Sequence, residues 1–248
     1  VTVVLVSYFD FSAYSDMAIG LGLMLGIRLP VNFASPLKAT SMAELWQRWH
    51  MTLMRFLRGY VFRPWMRGRL GRGHGYIGVV LTLTLSGFWH GAAVTFILWG
   101  LLLGLAWVAD SRWRAFCSRR GIVPPAVLGW LWTIGAFVVI SVLFRSHHLS
   151  DSLSVWSSMF GLADGTPVPR FAPADLARHL TVTAVAAAIA LFGPNLQQVF
   201  GYRPDRARLE GGLWRPGVAW AVGIGVLFGL ALAAVLGRVP QEFLYFRF

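Results

Sequence analysis

An all-α, polytopic integral membrane protein is predicted by three features of this sequence. The chain is 56% hydrophobic with 12 Trp and 18 Phe, only 13% of its residues are charged, and mean hydropathy is +0.61, too apolar for a water-soluble domain of 248 residues. Uncharged stretches long enough for membrane helices recur along it. The basic residues, 22 in all and every one but Lys38 an arginine, gather between those stretches, where loops meet phospholipid headgroups. The net charge of +12 therefore reads as a topology signal and as headgroup contact, with no nucleic-acid partner implied. With no internal repeat and no long hydrophilic linker, residues 1–248 are expected to form a single membrane-embedded domain.

The first candidate span, Val1 to Leu29, is apolar but interrupted by Asp10, Asp16 and several glycines. It has no initiator Met, basic leader or cleavage site, so it is not a signal peptide, and residue 1 reads as a truncation point. Two carboxylates in an apolar segment are expected to hydrogen-bond internally, to hydroxyls such as Ser12 or Tyr14, as structural support.

The next segment has a different periodicity. Ser41 followed by Glu44 is a capping box, and Met42, Leu45, Trp46, Trp49, Leu53, Phe56, Leu57 and Tyr60 recur at intervals of 3 and 4. One amphipathic helix lying in the membrane interface is predicted, with His50 bordering its apolar face and pointing inward. A hydrogen-bonded packing role and a chemical role for His50 remain equally open on pattern alone.

Ile77 to Ala109 is a run of 33 residues without Asp, Glu, Lys or Arg that holds His90 in its middle. As one helix it would be a rod of about 50 Å, far longer than a hydrocarbon core of about 30 Å is thick. Ser86, Gly87 and Gly91 flank the histidine and weaken a helix, so a break near His90 is predicted. Arg55, Arg58, Arg63, Arg67, Arg69 and Arg72 precede the run, and Arg112, Arg114, Arg119 and Arg120 follow it. Both ends thus carry the cytoplasmic mark, and re-entrant or half helices would leave His90 at the turn, facing a cavity. An ionisable side chain at such depth is a functional-site candidate, because packing does not recover the cost of burying it. Phe88 and Trp89 are candidate walls of that cavity.

Ala126–Phe144 and Gly217–Gly237 are each long enough to span, and Leu180–Leu196 is a shorter third candidate. The loop from Arg145 to Arg178 has no charge bias and suits the outer side, whereas Arg203, Arg206, Arg208 and Arg215 mark the loop after it as cytoplasmic. The single cysteine, Cys117, excludes an internal disulfide, and nothing around it suggests a reactive thiol. His147, His148 and His179 lack a clustered ligand set, so no metal site is expected and these are read as loop residues.

Several of these stretches together resemble a known family. "YFDFSAYSDMAIGLGLMLGIRLPVNFASPLKATSMAELWQRWHMTL", "LRGYVF", "LSGFWHGAAVTFILWG" and the closing "FLYFRF" are similar, in that order, to the bacterial membrane-bound O-acyltransferases, most of all to those that acetylate alginate. The tryptophan-histidine pairs are the most specific marks, and the chain looks like the C-terminal portion of a longer family member. The resemblance implies an O-acyltransferase of the bacterial inner membrane. It would move an acyl group, expected to be acetyl, to hydroxyls of an extracytoplasmic polysaccharide such as alginate. His90 in "SGFWHG" matches the family's catalytic histidine, and His50 in "QRWHMTL" its second motif histidine. An activated donor, acetyl-CoA or another acyl carrier, is implied as co-substrate, with no resident cofactor. Membrane lipid, the polysaccharide and other proteins of an acetylation complex are the implied partners. Alone, a half-length piece is expected to be inactive. The chain departs from the family at Ala13 (usually Gly), Gly59 (usually Asp) and "RPWMRGRLGRG" (usually a Pro-Leu-Gly-Gly turn), which puts donor or partner recognition there in question. On the residues alone, a non-catalytic membrane subunit or a transporter-like scaffold would also hold an intramembrane histidine.

Overall fold

The computed structural model describes residues 1–68, 71–162, 173–205, 209 and 211–237. All regular structure among these residues is helical. The helices are α1 (Thr2–Met24), α2 (Met42–Arg48), α3 (Met51–Leu57), α4 (Arg63–Met66), α5 (Arg72–His90), α6 (Val94–Arg119), α7 (Ala126–Arg145), α8 (Leu149–Met159), α9 (Pro173–Phe192), α10 (Leu196–Phe200) and α11 (Val218–Leu236). A π-helical turn, Arg58–Phe62, joins α3 to α4.

Among the described residues, four helices are long and apolar enough to cross a bilayer: Val94–Arg119, Ala126–Arg145, Ala174–Phe192 and Val218–Leu236. Two of them match the expected spans within a residue or so. The third begins earlier than expected and stops at Phe192, because Pro194 has no N–H to continue the ladder and restricts the residue before it. Within the loop expected between Arg145 and Arg178 lies α8, whose Asp151 carboxylate accepts from the His148 backbone N–H at 3.0 Å. His148 is therefore a helix-capping residue. His179 also lies on a helix, α9, with its Nδ1 2.7 Å from the Asp175 carbonyl. The closing "FLYFRF", Arg69, Arg206 and Arg208 lie outside the described residues.

The chain divides into two compact units, residues 1–12 with 32–193 and residues 13–31 with 194–248. In the second unit, the Gln197 amide donates to the Asp16 carboxylate at 3.3 Å, and the Tyr202 hydroxyl donates to the Leu29 carbonyl. The Ser12 partner expected for the carboxylates is not the one used. The Ser12 hydroxyl, in the first unit, donates to its own helix at Phe9, and Asp10 is exposed. A serine three residues along an α-helix reaches a backbone carbonyl more readily than a carboxylate on another face.

The first unit holds the core. Val4, Leu5 and Tyr8 of α1, Met42, Leu45 and Trp46 of α2, Leu103 of α6 and Phe137 of α7 are all buried in one cluster. The amphipathic segment is accordingly a core element, and it is not one helix. It breaks at Trp49 and His50, and the break turns Phe56 and Tyr60, expected on the inward face, out to 55% and 74% exposure.

Helices α5 and α6 form the antiparallel hairpin expected around His90. A Cβ on Gly87 would overlap the Phe96 carbonyl, one on Gly100 the Leu83 carbonyl, and one on Gly104 would lie 2.8 Å from the Val80 Cα. Residue pairs 87–96, 83–100 and 80–104 run in opposite directions, so the two backbones touch along three successive turns. Only glycine permits this approach. Tyr76 and Trp107 then meet near the foot, ring centroids 6.5 Å apart. Cys117, near the same end, is 1% exposed.

Candidate functional site

His50 owes its position to a break in the helix. Trp49 is extended (φ −108°, ψ 128°) and His50 is left-handed (φ 43°, ψ 52°), a conformation uncommon for residues other than glycine. The segment Asn32–Ala34 runs beside this break and holds both sides of it. The Ala34 N–H donates to the Arg48 carbonyl at 3.0 Å, and the Met51 N–H donates to the Asn32 carbonyl at 3.0 Å. The Asn32 side-chain oxygen accepts from the Thr52 N–H at 3.2 Å and from the Thr52 hydroxyl at 2.6 Å. The first donors of α3, which a helix start leaves without intrahelical partners, are thus satisfied by a residue far back along the chain. Strain at a non-glycine left-handed residue persists only where the surroundings over-determine it, and such residues cluster at functional sites.

The start of α2 is anchored as firmly. The Ser41 hydroxyl accepts from the Glu44 N–H at 3.0 Å, as the capping box predicts. The reciprocal bond is shifted by one residue, for Glu44 accepts from the N–H and hydroxyl of Thr40 at 2.7 and 3.1 Å, and pairs with Arg48 at 2.7 Å. Burial pushes the Glu44 carboxyl up, but the Thr40 donors and the Arg48 guanidinium outweigh it and hold the group below its ordinary range. Asp110, 5% exposed, reaches across from α6, accepting from the Met42 N–H at 3.1 Å and from Arg114 Nε at 2.9 Å. Arg114 in turn donates to the Thr40 carbonyl.

His90 is the last residue of α5, half-buried at the turn of the hairpin. Its ring lies edge-on to Trp99 (5.5 Å between centroids) and Phe144 (5.0 Å), with Phe96 stacked at 6.5 Å. The Trp89 ring stands between the two histidines, 4.8 Å from His90 and 6.2 Å from His50, and Phe11 closes the far side of His50 at 4.7 Å. Two histidines far apart in sequence therefore meet across one indole that is itself 58% exposed. Of the two walls expected, Trp89 has that place, whereas Phe88 points outward at 54% exposure.

Trp99, Phe144, Phe11, Asn32 and Asp110 contribute to this arrangement and were not singled out by the sequence. Asp110 followed by Arg114 at the end of an uncharged run is a legible signal, since a carboxylate and a guanidinium four residues apart pair on one helix face. Asn32 and Phe144 carry none. Behind the histidines, the indole N–H groups of Trp46 and Trp99 and the Nδ1 of His50 are buried with no hydrogen-bond partner among the described residues. Such groups in a native interior are unusual.

Sequence comparison agrees with the geometry. The profile of the membrane-bound O-acyltransferase family matches residues 1–148, which include both histidines. A peptidoglycan O-acetyltransferase of Helicobacter pylori is 42% identical over 155 residues, covering 62% of this chain and 29% of that protein. A Pseudomonas putida protein named "Probable alginate O-acetylase AlgI" is 33% identical over 251 residues, covering 97% of this chain and 51% of its own length. A teichoic acid D-alanyltransferase of Bacillus subtilis is 35% identical over 159 residues, covering 57% of this chain and 40% of that protein. The chain thus spans about half the length, or less, of the curated relatives it matches. With a histidine at the turn of a glycine-packed hairpin, a second histidine across one indole from it, and a family profile over both, this chain belongs to the membrane-bound O-acyltransferase family.

Proposed function

We propose that the protein transfers an acyl group, acetyl in the first instance, from an activated thioester donor to hydroxyls of an extracytoplasmic polysaccharide, with His90 as general base. The observation that carries this reading is that His50 and His90 both pack against one indole, that of Trp89. A sugar hydroxyl is a weak nucleophile near neutral pH, and a ring nitrogen within hydrogen-bond reach removes its proton as it attacks. The hydroxyl oxygen bonds to the acyl carbonyl carbon, the carbon–sulfur bond breaks, and the proton held by the histidine leaves with the thiolate as thiol. His50, held by Asn32 and the left-handed break, is assigned to placing His90 or the donor. Acetyl-CoA or another acyl carrier fits as donor, and the names of the relatives support polysaccharides of the cell envelope as acceptors, alginate among them. The bacterial inner membrane is the compartment this assigns, and partner proteins of a polysaccharide-modifying complex follow from it.

Mass spectrometry of the producing cell's envelope polysaccharides, with and without the gene, tests the reading. O-acyl groups should be absent from one polysaccharide in the deletion strain and return with the wild-type gene but not with His90→Ala. An unchanged acyl content in the deletion strain would overturn it.

A further inference from the structure

A cleft of about 450 Å³ lies between the α2–α3 and π-turn segment and the middle of the α5–α6 hairpin; neither histidine lines it, but Met51, next to His50, does. Its floor is apolar, with Trp46, Met54, Phe62, Leu83 and Trp107 among its lining residues, and two arginines, Arg55 and Arg58, border it. Both arginines are exposed. No acidic residue lines the cleft, and the sequence holds none between Glu44 and Asp110, although seven arginines fall between Arg48 and Arg72 inclusive. Arg48 pairs with Glu44, whereas Arg55 and Arg58 have no carboxylate partner among the described residues.

The flanking surface has a matching character. Phe56 and Tyr60 stand out from the protein at 55% and 74% exposure, their rings 4.8 Å apart, beside the same arginines. Exposed aromatics next to basic side chains are the residue pairing of the membrane–water interface, where one end of the side chain is apolar and the other wet. The π turn supports the cleft's shape. A π turn widens the helix by one residue, and such turns are frequent at functional sites. Gly59 within it faces open space, since an added Cβ would meet no atom within 4 Å, and it brings no side chain to the arginine pair.

We propose that this cleft is a binding site for one anionic phospholipid, with an acyl chain against Trp46, Phe62 and Trp107 and the phosphate held by Arg55 and Arg58. The occupant is lipid because the apolar floor and the interfacial aromatics are continuous with the arginine pair, so headgroup and chain are recognised together. The site does not depend on the acyl-transfer reading.

The test is native mass spectrometry of the detergent-purified full-length protein, titrated with dioleoylphosphatidylglycerol or dioleoylphosphatidylcholine. One phosphatidylglycerol should be retained in preference to phosphatidylcholine. Arg55→Gln/Arg58→Gln should weaken its retention by about thirtyfold, the equivalent of two arginine contacts with an anionic headgroup. Arg112→Gln should leave it unchanged, Met54→Trp, which fills the cleft, should weaken it, and Arg55→Lys/Arg58→Lys should keep most of it. Equal retention of the two lipids, unchanged retention in the glutamine pair, or loss in the lysine pair as great as in the glutamine pair would overturn the assignment. So would one-for-one displacement of phosphatidylglycerol by coenzyme A, which would place a soluble thioester carrier in the cleft instead.

Discussion

Adding one methyl group at Gly87 should separate the helix pair that carries His90. The Cβ of an alanine there would fall inside the Phe96 carbonyl and 3.2 Å from the Gly100 nitrogen. Ordinary contact needs roughly 3.4 Å or more, so α5 and α6 must part by on the order of 1 Å, at backbone atoms that have no rotamer to yield. Forced overpacking of this kind costs about 1–3 kcal/mol. Glycine to alanine also gains up to about 1 kcal/mol of helix propensity, which blurs a single measurement. Gly75→Ala supplies the control, because it makes the same change on the same helix with nothing within 4 Å of the new atom. The propensity gain cancels between the two variants, leaving the clash of about 1–3 kcal/mol as their difference. Gly87 lies three residues before His90, so the shift reaches the ring, and a misplacement of about 1 Å can lower a rate by about 100-fold. Thermal unfolding of the full-length protein in detergent, followed by tryptophan fluorescence, and the acyl-transfer rate are the two readouts. If Gly87→Ala melts and turns over as Gly75→Ala does, the close-packed hairpin is not what positions His90.

Three further outcomes are expected. Asn32→Ala removes the acceptor for two Thr52 donors and should destabilise the protein by about 1–2 kcal/mol while slowing transfer, whereas Asn32→Asp keeps the acceptor and most of the rate; full activity in Asn32→Ala would remove it from the placement of His50. Because the folded Glu44 carboxyl titrates below its ordinary range, the stability it contributes is complete above the ordinary carboxylate pKa and is lost as pH falls through the lowered folded value, so Glu44→Gln should flatten the acid limb of a melting-temperature profile. Single cysteines at Arg67 and Arg119, in a background lacking the buried Cys117, should label from the same face of the membrane, and labelling from opposite faces would contradict the hairpin.

The parts of the fold that rest on periodicity and composition were legible in the residues. Long uncharged runs marked α7 and α11, Ser41 with Glu44 marked the start of α2, and a 33-residue run around Ser86-Gly87 and Gly91 marked a hairpin with His90 at its turn. What escaped depends on contacts between distant segments. A 3-and-4 spacing continues through Trp49 and His50, so nothing local marks the break, which exists because Asn32 and Ala34 bond to the backbone on either side of it. The partner of Asp16 was out of the sequence's reach for the same reason, Gln197 being 181 residues away. The two histidines and Trp89 were picked out by residue type and setting, while the walls Trp99 and Phe144 required three helices to be assembled first.

The most direct measurement of the central claim is the single-turnover rate of acyl transfer by His90→Gln in the full-length protein, with membrane insertion and melting temperature matched to wild type. Glutamine keeps much of the size and polarity of the ring but cannot take the proton, and a general base contributes about 10²- to 10⁴-fold. A loss of at least that lower order, at unchanged donor binding, is the predicted result. A His90→Gln protein that retains most of its rate would assign this histidine to packing against Trp99 and Phe144, and the acyl-transfer chemistry would have to lie elsewhere.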